Sequence, residues 1–183
     1  MTPAFFLDRD GVINVEVSYL GNAGDVELLP GVAEAVAAIH AAGFLAVVVT
    51  NQSGIARKMY SVDDMHAVHA RIQRLLLTAS PHAVLDGFYF CDHHPKYNRE
   101  CCCRKPAPGM LLTAAEDLQL DLAASFMIGD RISDLAAGKA AGCRCSCLVT
   151  TGYGSEQIEA AQQDNFPIAS SLFEAVTLLL ASK

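Results

Sequence analysis

FFLDRDG, residues 5–11, is an apolar run that stops at an aspartate. Three bulky hydrophobic residues followed directly by charged ones suit a strand buried on both faces, whose carboxyl end reaches the surface. FLAVVVTN, residues 44–51, repeats the pattern, with Phe44 to Val49 ending in Thr50 and Asn51. Between the two, Pro30 and Gly31 precede Val32, Ala35, Val36 and Ile39, an apolar spacing that fits one face of a helix, and Gly43 after Ala42 suits its end. The unit is strand, helix, strand. It recurs downstream as a strand over Gly87 to Phe90, a helix over Pro108 to Leu120, a strand over Ser125 to Gly129, a helix over Ile132 to Ala141 and a strand over Cys145 to Val149. Helices over Val62 to Leu77 and Ser171 to Ala181 complete the layers. The expected class is α/β, a doubly wound parallel sheet.

At 183 residues the chain suits one domain spanning 1–183, and no repeat or low-complexity linker divides it. A formal charge of −7 without a basic stripe argues against nucleic acid as a partner. No apolar run approaches the roughly 20 residues a membrane helix needs, and MTPAFFLDRDG lacks a basic segment followed by an apolar one, so the expectation is a cytoplasmic protein with no membrane partner. Seven cysteines, bunched at 91–103 and 143–147, make a poor disulfide framework and favour thiols or thiolate ligands.

In open α/β sheets ligands bind beyond the carboxyl ends of the strands. The residues standing there are Asp8 and Asp10, Thr50 and Asn51, Cys91 and His93, and Asp130. Asp-x-Asp after a strand brings two carboxylates toward one centre, because alternate residues of an extended segment face the same way, and Gly11 lets the chain turn off. Singly, each residue has an ordinary alternative use: Thr50 and Asn51 could end a strand, Asp130 could cap a helix, Lys105 could be a solvated lysine. Together, Asp8, Asp10, Thr50, Lys105 and the Gly129 to Asp134 segment GDRISD place a hydroxyl, a cation and several carboxylates at one sheet edge.

FLDRDGVI, VVTNQSGIAR, CRKPAPGM and MIGDRISD, in that order, resemble the four motifs of the haloacid dehalogenase superfamily of phosphatases, over roughly residues 4–152. Finer spelling, including Tyr19, LLPGV, and CDHHP followed by CCCRKPAPGM, resembles the D-glycero-D-manno-heptose 1,7-bisphosphate phosphatases within it, with the histidinol-phosphate phosphatases as the alternative. A non-catalytic zinc-stapled binding module is a third reading, disfavoured by the complete acidic set. The resemblance implies a Rossmann-like fold with no large cap domain, a small-molecule sugar bisphosphate as substrate and Mg2+ as catalytic cofactor. It implies Asp8 as nucleophile, Asp10 as general acid and base, and Thr50 and Lys105 as phosphoryl ligands. Mg2+ would rest on Asp8, the Asp10 main-chain carbonyl and Asp130, with Asp134 orienting the metal's surroundings. Substrate selection is expected from Glu16, Val17, Ser18, Tyr19, Asn51, Gln52, Ser53 and Arg104, with Arg57, Lys58 and Arg131 as further cations of the rim. Without a large cap, a monomer is expected.

CDHHPKYNRECCCRKP, residues 91–106, carries four of the cysteines and two of the six histidines. Cys91 with His93 and Cys101 with Cys103 form two i, i+2 pairs, and three thiolates plus one imidazole satisfy a structural Zn2+ with no position left for a reactive water. Such a loop would place Arg104 and Lys105 without performing chemistry. His94 and Cys102 are the residues whose part in zinc binding stays open, and a disulfide between near neighbours would be strained. Cys143, Cys145 and Cys147 fall at alternate positions, expected on one strand face as small buried apolar residues.

Overall fold

The computed structural model describes residues 1–181; Ser182 and Lys183, the end of the expected 1–183 domain, lie outside the described residues. Six parallel strands form one sheet: β1 (Ala4–Leu7), β2 (Leu45–Asn51), β3 (Gly87–Cys91), β4 (Phe126–Gly129), β5 (Cys145–Val149) and β6 (Ile168–Ala169), in the order β3-β2-β1-β4-β5-β6. The helices are α1 (Val32–Ala41), α2 (Ser53–Ala56), α3 (Val62–Ala79), α4 (Gly109–Asp117), α5 (Ile132–Ala141), α6 (Ile158–Gln163) and α7 (Leu172–Ala181). The doubly wound expectation holds, and among the described residues no separate lobe covers the strand ends.

β1 explains the layering. All four of its residues are buried, and alternation sends them to opposite sides. Phe5 and Leu7 join the core under α1, α3 and α7, where Phe5 packs at 5.0 Å on Phe44 and 4.9 Å on Phe126 between ring centroids. Ala4 and Phe6 join the core under α4 and α5 with Val47, Val49, Met110 and Leu111. Several helix ends follow local rules. Ser61 caps α3, its hydroxyl accepting from the Asp64 amide at 3.1 Å while the Asp64 carboxylate accepts from the Ser61 amide at 2.8 Å. Gly142, at φ 86°, closes α5.

Four departures have local causes. β2 begins at Leu45, because Phe44 donates to the Ile39 carbonyl at 3.1 Å and so finishes α1. It runs on through Thr50 and Asn51, which pair with Phe90 and Cys91. α4 stops at Asp117, since Leu120 is drawn into a bridge with Thr2 beside β1. Cys143 does not share a face with Cys145 and Cys147: it precedes β5 and packs into the α4–α5 layer, whereas the other two belong to the opposite core. Burial pushes the Cys143 and Cys147 thiols up to about 12, which suits inert packing groups.

Strand order reverses between β1 and β4, the place where an open sheet leaves a crevice at its carboxyl edge. Leu7 pairs with both Val48 and Ile128. The residues following these strands therefore converge there.

Candidate active site

A cavity of about 350 Å³ opens at that crevice. Its lining includes Asp8 and Asp10 after β1, Thr50 to Gly54 at and beyond the end of β2, Arg104 and Lys105 after the cysteine loop, and Asp130, Arg131, Ser133 and Asp134 after β4. Glu16, Ser18 and Tyr19 form another part of the wall. Of the expected substrate residues and rim cations, Val17, Arg57 and Lys58 lie outside this lining.

Lys105 stands at its centre, almost wholly buried. Its ammonium donates to Asp8 Oδ1, Asp134 Oδ1 and the Val49 carbonyl, each at 2.8 Å. Burial alone would lower its pKa, but the charges of Asp134 and Asp8 outweigh that and raise it. Asn51 holds the lysine's backbone from both sides, accepting from the Lys105 amide at 3.0 Å and donating to its carbonyl at 3.1 Å. A buried, tethered lysine is a fixed positive charge rather than a solvated one.

The carboxylates outnumber that cation. Ligand oxygens of Asp8, Asp130 and Asp134 lie within 4.8 Å of one another. Burial pushes Asp8 up to about 7 against the pull of Lys105, with Asp134 and Asp130 adding repulsion. Asp130 rises to about 6, again chiefly by burial. Glycines at 11 and 152 press close on Asp130: a Cβ at either would come within 2.4 Å and 2.2 Å of its Oδ2. Both have positive φ, 80° and 55°, so the backbone itself wraps that carboxylate. Three crowded carboxylates around one ammonium, with space beside them, fit a hard divalent cation that takes oxygen ligands.

Asp10 behaves differently. Although burial would raise its pKa, the Arg9 charge and hydrogen bonds from Asn14, Arg9 and Gln52 carry it below the usual carboxylate value. Arg9 Nη2 lies 2.7 Å from Asp10 Oδ2, Asn14 Nδ2 lies 2.9 Å from Oδ1, and Gln52 Nε2 lies 3.0 Å from Oδ2. The same Gln52 nitrogen donates to Thr50 Oγ1 at 2.8 Å, and the Tyr60 hydroxyl donates to Gln52 Oε1. Burial pushes that hydroxyl up to about 12, so it stays a donor.

On the other side of Lys105, the four cysteine-loop residues meet. Cys91, His93, Cys101 and Cys103 place their ligand atoms within 4.8 Å of one another. Cys103 Sγ is 3.1 Å and Cys101 Sγ 3.5 Å from Cys91 Sγ, and His93 Nδ1 is 3.4 Å from Cys103 Sγ. A disulfide would need about 2.05 Å. Tetrahedral zinc with bonds of about 2.3 Å would set neighbouring sulfurs about 3.8 Å apart, so the cluster fits that ion with a small outward movement. The second His93 nitrogen faces Asp92 Oδ1 at 3.3 Å, the partner that fixes a ligating imidazole. Cys102 points outward and His94 packs against Tyr97 at 4.9 Å, so neither joins the cluster. Arg104 donates to the His93 carbonyl at 3.2 Å and reaches the cavity from there.

The HAD-hydrolase-like family model matches residues 102–175. The D-glycero-D-manno-heptose-1,7-bisphosphate 7-phosphatase of Thermosynechococcus vestitus is 45% identical over 169 residues, covering 88% of this chain and 85% of the relative. The chain belongs to the haloacid dehalogenase-like phosphatases. The D-glycero-beta-D-manno-heptose-1,7-bisphosphate 7-phosphatase of Vibrio cholerae is 44% identical over 165 residues, covering 86% of this chain and 87% of that one. The D,D-heptose 1,7-bisphosphate phosphatase from B. bronchiseptica, solved with magnesium and phosphate, superposes with a TM-score of 0.88 at 32% identity, covering 99% of both chains.

Within this phosphatase family the fold agrees with the motif reading, while some residues in and behind the cavity carry no signal of their role. Arg9, behind the lining, is wholly buried, and its place between two aspartates hides its bond to Asp10. Tyr60 and Tyr153 arrive from turns far along the chain, and only packing reveals them. Tyr153 carries the Arg131 guanidinium 3.8 Å above its ring, while its amide donates to Asp130 Oδ2 at 2.8 Å. Asp134, expected near the metal, also pairs directly with Lys105.

Proposed function

We propose that this chain is a magnesium-dependent phosphatase that removes the C7 phosphate of D-glycero-D-manno-heptose 1,7-bisphosphate, in the supply of activated heptose for lipopolysaccharide core. The observation that carries the reading is the pairing of Asp8 with Lys105 inside a cluster of three carboxylates, in a chain 45% identical to a phosphatase of that name. The acidic set accounts for hydrolysis, and the cationic rim of Arg104 and Arg131 accounts for a second phosphate.

Asp8 attacks phosphorus, forming a bond from its carboxylate oxygen as the bond to the sugar oxygen breaks, which leaves an aspartyl-phosphate. Lys105 and the Thr50 hydroxyl hold the equatorial oxygens in place and neutralise their charge. Asp10 gives its proton to the departing alkoxide. Without substrate it is held anionic by Arg9, so it takes that proton from solvent once the dianionic phosphate beside it has raised its proton affinity. Asp10 then takes a proton from the water whose oxygen bonds to phosphorus as the bond to Asp8 breaks, which frees the Asp8 carboxylate and returns Asp10 to its protonated form. Mg2+ held by Asp8, Asp130 and the Asp10 carbonyl, with Asp134 at hand, would supply the charge neutralisation that lets an anionic nucleophile approach an anionic ester.

Zn2+ on Cys91, His93, Cys101 and Cys103 has a structural part, fixing the loop that ends in Arg104 and Lys105. The chain is read as one domain and a cytoplasmic monomer. A direct assay of the purified protein settles the substrate: heptose 1,7-bisphosphate should release one phosphate and leave the 1-phosphate, with kcat/KM well above that for histidinol phosphate. Faster turnover of histidinol phosphate would overturn the choice.

A further inference from the structure

Arg57 does not line the cavity. Its guanidinium instead lies between two tyrosine rings, 5.2 Å from the centroid of Tyr19 and 4.3 Å from that of Tyr97. The rings belong to separate segments. Tyr19 is part of the cavity wall with Glu16 and Ser18, and Tyr97 lies in the cysteine loop between His93 and Cys101. Close to each ring the bonds are short-range: Glu16 accepts from the Ser18 amide, and the Tyr97 amide donates to His94 O at 3.0 Å. Among the described residues neither regular structure nor a hydrogen bond joins Tyr19 to the cysteine loop; the cation between the two rings spans the gap.

We infer that Arg57 is a positioning residue that ties the substrate-facing segment at Tyr19 to the cysteine loop through Tyr97, so that order in the loop is passed to the cavity wall. The inference deepens the reading of the cavity as a sugar bisphosphate site and rests on it. It reassigns Arg57 from a cation of the substrate rim to a support of the wall that receives the substrate.

The test is a double-mutant cycle on protein carrying one zinc per chain. Tyr97→Ala should raise KM for heptose bisphosphate about two- to fivefold, the range of an exposed cation–ring contact, with kcat within about twofold. Tyr97→Phe, which keeps the ring, should retain the wild-type KM. Arg57→Ala should raise KM by a similar factor, and the double variant should be no worse than either single one. With only five tyrosines, ring resonances can be assigned by substitution, and those of Tyr19 should move in both Tyr97→Ala and Arg57→Ala. Additive effects would overturn the inference, as would Tyr19 resonances that ignore Tyr97→Ala. A raised KM in Arg57→Ala alone would return Arg57 to the role of direct phosphate ligand. Should the wild type fail to hydrolyse the bisphosphate, the functional reading falls while the resonances still decide whether the tie exists.

Discussion

The carboxylate edge and the cysteine loop stand on either side of Lys105 and are built by different means. Asp8 and Asp130 extend strands β1 and β4, whose backbones are paired along their length, so their positions follow from the sheet. Residues 92–108 have no helix or strand, and the two ends of that loop are joined by the cluster of Cys91, His93, Cys101 and Cys103 and by the Arg104 bond to the His93 carbonyl. A site resting on strand ends inherits rigidity from backbone hydrogen bonds; a loop of this length must be cross-linked by side chains or a metal. Lys105 belongs to both, since its ammonium is bonded to Asp8 and Asp134 while its chain leaves the cysteine loop.

The contrast predicts separable failures. Asp8→Asn removes the nucleophile without disturbing the strand, so turnover should fall on the order of 10^4-fold or more. Far-UV circular dichroism and binding of the bisphosphate should change little, and a near-normal rate would rule out an aspartyl-phosphate. Asp10→Asn should cost about 10^2- to 10^4-fold in kcat, the span of a general acid and base. Its variant should still accumulate some phosphorylated Asp8 with a substrate whose leaving group needs no proton, which rapid-quench experiments can measure.

Changes on the other side should spare chemistry more than structure. Cys103→Ser removes a thiolate from the cluster, and elemental analysis after dialysis should show loss of the one tightly held zinc per chain. Thermal unfolding should begin at a lower temperature and KM should rise, because Arg104 and Lys105 lose their anchor. Cys102→Ser, an outward-facing neighbour, should keep both zinc and activity. A zinc-free Cys103→Ser protein with wild-type stability and KM would mean that the loop orders itself.

The same contrast decides which features are legible in the amino-acid sequence. Apolar runs ending in aspartate mark strand ends, and period-two spacing puts Cys91 with His93 and Cys101 with Cys103, so framework and cluster can both be read from local pattern. β6, two residues long, and the short helices α2 and α6 have too few positions for a period to register. Arg9 is illegible for another reason. Nothing in Asp-Arg-Asp says that the arginine turns inward to donate to its own neighbour, 2.8 Å away, and to face His69 at 3.4 Å. Tyr60 and Tyr153 reach the cavity by the path of the chain, a property of tertiary packing alone.

The smallest effect predicted concerns pH in magnesium-free protein, and it probes the carboxylate edge through its dependence on Asp130. Folding raises Asp8 to about 7 and Asp130 to about 6, both from 3.8. The folded state therefore binds more protons than the unfolded one between about pH 4 and 7, and stability must fall as pH rises through that window. Lys105 is raised and titrates above this window, and Asp10 is lowered and changes only at its acid end; His69, lowered by burial to about 3, acts in the opposite sense up to its unfolded value of 6.5, and the two raised carboxylates together outweigh it. Thermal unfolding of the magnesium-free, zinc-loaded protein should thus occur at a lower temperature at pH 8 than at pH 5. Added Mg2+ should recover the loss, and by more at pH 8, because the cation competes with protons for the same oxygens. Asp130→Asn should flatten both responses. A magnesium effect that is equal at the two pH values would place the cation away from these carboxylates.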